Sequence, residues 1–220
     1  MKVCLITAVS VLSAWQNDLS ELAGYDVIAF GANGLGLVSY KKELDGETEY
    51  FSDLAKLSKT VGAVVISGCD TDTYGIYRHS VAVADRGKML GVSDAVFSEK
   101  DSEFMSGGTV TVYNTSAGKI GVLVGEDIFF SESENILAHL GADIVICPFK
   151  RIESEMPSVV ARANAFLHGT PTAIVGENYS ACADKDGKIL SAGAGKINKL
   201  EANPEKNYRF VTLRRRMPCI

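Results

Sequence analysis

The stretch of this sequence richest in chemistry runs from Gly118 to Pro148 and reads GKIGVLVGEDIFFSESENILAHLGADIVICP. Its apolar run ends at Gly125-Glu126-Asp127, where adjacent carboxyls occupy a tight turn. A carboxylate held there can take a proton from water or orient a bound ligand, and Glu126 is a candidate for a pocket role, with an exposed turn carboxylate as the alternative. Asp127 is expected to cap the turn instead, because Asp side chains bond readily to nearby backbone N–H groups. Cys69 and Cys147 each close an apolar run and are candidates to border the same cleft. A thiol in that position packs as a small hydrophobe unless its surroundings favour the thiolate. Glu99, Lys100 and Glu103 add charge further along, and Glu99 joins Glu126, Asp127 and Cys147 as a candidate pocket residue.

These groups act together only if the chain holds them at one edge. Ile120 to Val124 reads as a buried strand, a helix follows from Ser131 or Ser133 to Leu140-Gly141, and a second strand ends at Cys147-Pro148. Strand, turn, helix and strand in that order present the turn at the carboxyl end of a sheet, where α/β proteins bind ligands. Ser131 and Glu134 have capping-box spacing and are expected to serve the helix start.

Other motifs carry less. Gly31-Ala32-Asn33-Gly34-Leu35-Gly36 follows a strand, but its glycines are spaced Gly-x-x-Gly-x-Gly, not as in the dinucleotide loop, so it reads as a flexible turn, with nucleotide binding the weaker alternative. Gly193-Ala194-Gly195-Lys196 lacks the first glycine and the hydroxyl of a phosphate loop. His79, His139 and His168 have no ligand spacing and read as surface residues; no metal and no cofactor are expected.

Elsewhere, Lys2 to Thr7, Asp26 to Phe30, Ala63 to Ser67, His79 to Ala84, Thr109 to Tyr113 and Thr172 to Val175 have strand composition. Trp15 to Leu22, Phe51 to Thr60 and Ser158 to His168 have helical spacing. Asp85 to Lys88 and Asp184 to Gly187 are hairpin turns, the second between Ala181–Ala183 and Lys188–Ser191. Alternating strands and helices with interspersed hairpins predict an α/β protein with mixed sheets, and two stacked sheets covered by helices fit the pattern.

With 46% hydrophobic and 22% charged residues, the 220-residue chain can bury a core, and nothing in it marks a linker, so a single domain over 1–220 is expected. A net charge of −5 argues against nucleic acid or a membrane surface as partner. The one basic cluster, Arg214 to Arg216, reads as a solvated face. Scattered cysteines, no membrane-length apolar run and no leader peptide make the cytoplasm the expected location.

The ordered series of segments resembles the nitrilase superfamily, the carbon–nitrogen hydrolases. Gly118, Lys119, Gly121, Asp127, Phe130, Glu132, Gly141, Ala142, Asp143 and Pro148 stand in register with that family's nucleophile segment. Tyr77 to Gly87, Arg162-Ala163, Gly169 to Asn178 and Ala181 to Leu190 resemble later family segments. The resemblance implies a four-layer α-β-β-α sandwich, hydrolysis of amides or nitriles, and pairing into a dimer through helices beside the nucleophile turn, here Ser133 to Leu140 and Ser158 to His168.

It also implies a glutamate base, a lysine and a cysteine nucleophile, and none is present. The glutamate position falls on Ala32, the lysine position on Asp94 or a neighbour, and the cysteine position on Gly125. A glycine has no side chain with which to form an acyl intermediate. Losing a general base costs roughly 10² to 10⁴ in rate, and losing an oxyanion donor about 10² to 10³. The expectation is therefore a non-catalytic relative that binds a small amide-like molecule or a protein partner. The alternative is an amide hydrolase that uses acids such as Glu126 to activate water.

Overall fold

In the computed structural model the protein is described over residues 1–7, 10–15, 19–98 and 102–205. Thirteen strands form two mixed sheets among these residues. The first sheet runs β13-β1-β2-β4-β5-β6, with β3 beside β4. Its strands are β1 (Lys2–Ile6), β2 (Val27–Phe30), β3 (Leu37–Ser39), β4 (Val64–Thr73), β5 (Ile76–Asp85), β6 (Lys88–Asp94) and β13 (Ile197–Glu201). The second runs β12-β11-β10-β9-β8-β7. It comprises β7 (Thr111–Thr115), β8 (Gly118–Val122), β9 (Ile144–Pro148), β10 (Thr172–Val175), β11 (Ser180–Ala183) and β12 (Ile189–Gly193). The helices are α1 (Val11–Trp15), α2 (Tyr40–Leu44), α3 (Tyr50–Val61), α4 (Ser131–His139) and α5 (Met156–His168).

Burial divides these elements into layers. Val3, Leu5, Val27, Ile66 and Val83 of the first sheet meet Ile120, Val122, Ile144, Ile146 and Val175 of the second in one core. The alternate residues of the first sheet, Cys4, Ile28, Val65 and Ala82, pack with Leu54 and Leu57 of α3. Val145, Cys147 and Ile174 of the second pack with Leu137 of α4 and Ala161 of α5. Strands buried on both faces read as continuous apolar runs because each successive side chain meets either the other sheet or a helix. The α-β-β-α sandwich implied by the family resemblance is the observed arrangement.

Within the first sheet β1, β2 and β4 are parallel, and within the second β8, β9 and β10 are parallel. Their carboxyl ends meet where Ala32 N–H donates to the Phe149 carbonyl at 2.8 Å, a bond from the turn after β2 to the end of β9. That junction is the base of the site described below.

Several expected elements differ. The helix expected over Trp15 to Leu22 is replaced by α1 and a separate 3-10 turn at Leu19–Leu22, with residues 16–18 outside the described set. β4 continues six residues beyond Ser67, because Gly68 to Thr73 pair with Ile76 to Val81 of β5 although several of them are polar. The late strand β13 was not expected; it pairs antiparallel with β1 from Lys2–Glu201 to Ile6–Ile197. The capping box does not form. The residue before α4 is Phe130 with no side-chain cap, Ser131 Oγ bonds His168 Nε2 at 2.9 Å, and Glu134 is buried against Thr172 of β10. The basic cluster Arg214 to Arg216 lies outside the described residues. No described helix is long and apolar enough to cross a membrane.

Candidate functional site

The carboxyl ends of the parallel strands open onto a cavity of about 270 Å³. Ala32 (after β2), Cys69 and Asp70 (β4), His79 and Ser80 (β5), Ala95 (after β6), Val124 to Glu126 (after β8) and Pro148 to Arg151 (end of β9 and beyond) line it, and Phe97, Ser98, Ser102 and Phe104 complete the wall. Convergence of strand ends from both sheets is what places residues so distant in sequence around one space.

Gly125 opens a 3-10 turn over Gly125–Phe129 with φ +53°, and a Cβ added there would meet nothing within 4 Å. An L side chain at that φ is disfavoured. The turn therefore presents bare backbone to an open space. At Ala32, close packing sets the position: Gly68 of β4 lies so near that a Cβ on it would stand 2.2 Å from Ala32 Cα. Ala95, and not its neighbour Asp94, lines the cavity. Asp94 is engaged elsewhere, accepting from Ser80 Oγ at 2.7 Å and standing 3.6 Å from Arg78 Nε. Of the three register positions, Ala32 and Gly125 line the cavity and Asp94 does not.

The other sequence candidates separate. Glu126 lines the cavity. Asp127 does not: it is buried, and its carboxylate accepts from the backbone N–H groups of Val96 and Phe97 at 3.0–3.1 Å. It ties the turn to the segment after β6 instead of capping the turn alone. Burial pushes its carboxyl above the ordinary range, partly offset by those bonds. Cys147 is fully buried behind the turn, donates to the Gly125 carbonyl at 3.3 Å and is absent from the cavity wall. Glu99 lies outside the described residues.

Cys69 does reach the cavity, but only 2% of it is exposed. Burial raises its thiol far above the ordinary value, and the charges of Asp70 and Asp94 raise it further. Cys147 is raised by burial and by Asp127 and Glu134. Among the described residues neither thiol is under the influence of a cation that would favour the thiolate, the reactive form.

What the sequence did not reveal is a polar cluster among the lining residues. His79 Nδ1 and Asp70 Oδ1 are 2.6 Å apart, and Lys150 Nζ stands 3.5 Å from Asp70 Oδ2. Phe104 stacks on the His79 ring at 3.8 Å and 17°. His79 was expected at the surface because its partner lies nine positions away across a hairpin whose register only the fold defines. Among the described residues no cluster of His, Cys, Asp or Glu could hold a metal ion. In the Gly31 to Gly36 turn the N–H groups of Ala32, Gly34 and Leu35 donate to the Phe149, Gly31 and Gly68 carbonyls, so these three are not free for a phosphate.

Comparison with known proteins agrees with this architecture. The carbon–nitrogen hydrolase family matches residues 14–199. A Schizosaccharomyces pombe protein named as a probable nitrilase is 26% identical over 137 residues, 59% of this chain; the chain spans about half the length of that relative. The carbon–nitrogen hydrolase of Helicobacter pylori G27 shares 17% identity at a TM-score of 0.76, covering 99% of this chain and 93% of its own. Nit3 of Saccharomyces cerevisiae, of the nitrilase superfamily, also shares 17% at 0.76, with 99% and 94% covered. A cysteine-to-alanine mutant of the amidase from Nesterenkonia sp. AN1, in complex with butyramide, shares 16% at 0.77, with 98% and 94% covered. The family match across most of the chain, on a sandwich whose strand ends form this cavity, makes the chain a member of the carbon–nitrogen hydrolase family.

Proposed function

We propose that this member binds a small amide-like molecule in the cavity and does not run the family's covalent chemistry. One observation carries the reading: Ala32 and Gly125, the positions the family resemblance gives to base and nucleophile, border the cavity, and at the expected lysine position Asp94 stays outside it while its neighbour Ala95 lines it. Space remains where a side chain would stand at Gly125, so the cavity is able to admit a ligand while offering no atom there to attack it. The buried thiols do not substitute, since both are held protonated. That a neighbour of the same fold with its cysteine removed is found with butyramide supports a primary amide as the class to test.

The test is ligand-observed NMR or calorimetry with butyramide and related short amides, alongside turnover assays on the same panel. Saturable binding without amide hydrolysis is expected. Loss of butyramide binding on placing a bulky side chain at Ala95 would tie the binding to this cavity. A second reading keeps Glu126 as a base for water, because Glu126 does line the cavity. Amide turnover abolished by Glu126→Gln would establish it and displace the first.

The protein is further read as a homodimer built on α4 and α5. Ile136, Leu140, Val159, Phe166 and Leu167 are exposed apolar residues on or beside these helices. Sedimentation of the wild type as a dimer, and of Ile136→Glu as a monomer, is the expected result.

A further inference from the structure

Asp70 and His79 are direct register partners on β4 and β5, so both side chains leave the sheet on the same face. Burial acts to raise the Asp70 carboxyl, but the His79 hydrogen bond and the Lys150 charge outweigh it and hold the group below its ordinary value. An ionised carboxylate only accepts, so the proton of the 2.6 Å bond sits on His79 Nδ1, which donates to Asp70 Oδ1. In the neutral ring Nε2 then carries the lone pair, and it has no hydrogen-bond partner among the described residues. Phe104 covers one ring face and fixes its plane. Lys150 Nζ, 5.2 Å from the centroid of the same Phe104 ring, lies beside it on the cavity wall.

A ring held at one nitrogen by a carboxylate, on the wall of a cavity that an ammonium also lines, leaves its other nitrogen for a general-base role. We propose that His79, oriented by Asp70, activates water for the hydrolysis of short uncharged esters in this cavity, with Lys150 facing the carbonyl oxygen. The water oxygen bonds to the ester carbonyl carbon, one of its protons passes to Nε2, and the carbonyl π pair moves to the oxygen beside Lys150. On collapse the bond from carbon to the alkoxy oxygen breaks, and the imidazolium returns its proton to the departing alcohol. The products are a carboxylic acid and an alcohol, and the ring is neutral again. Esters are the class because no acyl-enzyme is formed to divide the work, and an alcohol leaves more readily than an amine. The cavity volume of about 270 Å³ and the Phe97, Val124 and Phe149 walls suit short acyl chains. Asp70 is here a positioning residue, since it reaches the substrate only through His79.

The proposal rests on the reading that the cavity admits a small carbonyl compound, and the two are separated by measuring butyramide binding and ethyl butyrate hydrolysis on the same samples. Expected are turnover by the wild type with no acyl adduct in intact-protein mass spectra, and a fall of about 10²- to 10⁴-fold in His79→Gln. His79→Asn, which retains a donor toward Asp70, is expected to fall equally while still binding butyramide, which shows that the fold is kept. Asp70→Asn should lower kcat and leave KM within about twofold, as expected when a variant loses an interaction made only in the transition state. Butyramide binding without ester turnover overturns this inference and leaves the binding reading standing. Turnover that survives both His79 variants, or an acyl group found on the protein, also overturns it. Failure of butyramide to bind, with ester turnover lost in both His79 variants, overturns the binding reading for amides and sustains the ester activity.

Discussion

Asp127 is bound by the backbone of Val96: that residue's N–H lies 3.0 and 3.1 Å from the two carboxylate oxygens, and the N–H of Phe97 adds a third contact at 3.0 Å. The relationship joins the turn carrying Gly125 to the segment carrying Ala95, which otherwise belong to different sheets. Asp127→Ala strands buried N–H groups and should cost about 2–4 kcal/mol of stability. Urea denaturation measures it, and Asp127→Asn, which keeps one acceptor oxygen, is expected to recover part of the loss.

At Gly125 backbone and space pull in opposite directions. The site is open, so Gly125→Ala meets no clash, yet φ +53° is strained for any residue with a Cβ. A loss of about 1 kcal/mol is expected from conformation alone. Gly125→Cys should lose a similar amount, become alkylated by iodoacetamide in the folded protein, and still not hydrolyse butyramide, because Ala32 brings no base and neither Asp94 nor its neighbour Ala95 brings an amine. In the wild type Cys69 and Cys147 should stay unlabelled under the same conditions; peptide mapping reads both results.

Gly68 is a different case, since the obstacle is backbone. A Cβ there would approach Ala32 Cα to 2.2 Å and the Ala32 carbonyl oxygen to 2.7 Å. Gly68→Ala must push the turn after β2 away from β4, at a cost of about 1–3 kcal/mol for the overpacking. The same displacement should weaken butyramide binding, as Ala32 forms the cavity wall.

Glu134 gives a pH dependence. Burial raises its carboxyl to about 8, only partly offset by its bond to Thr172, and one of its oxygens has no partner. In the unfolded chain the group ionises near the ordinary 4.5, so between that value and about 8 the folded state holds more protons than the unfolded one. The favourable contribution is complete below pH 4.5 and is lost as the pH rises through about 8. Glu134→Gln should therefore raise stability at pH 8.5 by a few kcal/mol relative to its effect at pH 5. Thermal unfolding at the two pH values decides the sign.

The layers were legible because strands such as Ile144 to Cys147 are apolar at every position, and only a doubly covered strand needs that. β4 shows the limit: Gly68 to Thr73 mix small and polar residues, and only the pairing with β5 makes them a strand. The site divides in the same way. Gly125 and Glu126 could be placed because a turn after an apolar run has a local signature. Asp70 and His79 could not, because their contact depends on cross-strand register, and Lys150 joins them only through the meeting of two sheets. The reading of Ser131 and Glu134 as a cap failed for a similar reason: the spacing was right, but α4 packs so that Glu134 points inward against Thr172.

The pairing of β1 with β13 sets Val3 opposite Leu200. During synthesis, β1 leaves the ribosome with one edge that has nothing to pair with until almost the whole described chain has been made. Strand edges left bare in this way are where nascent proteins join one another by mistake. Completion of this fold is thus a late, concentration-sensitive event, and yield on expression should respond to chaperones more than to changes in the cavity.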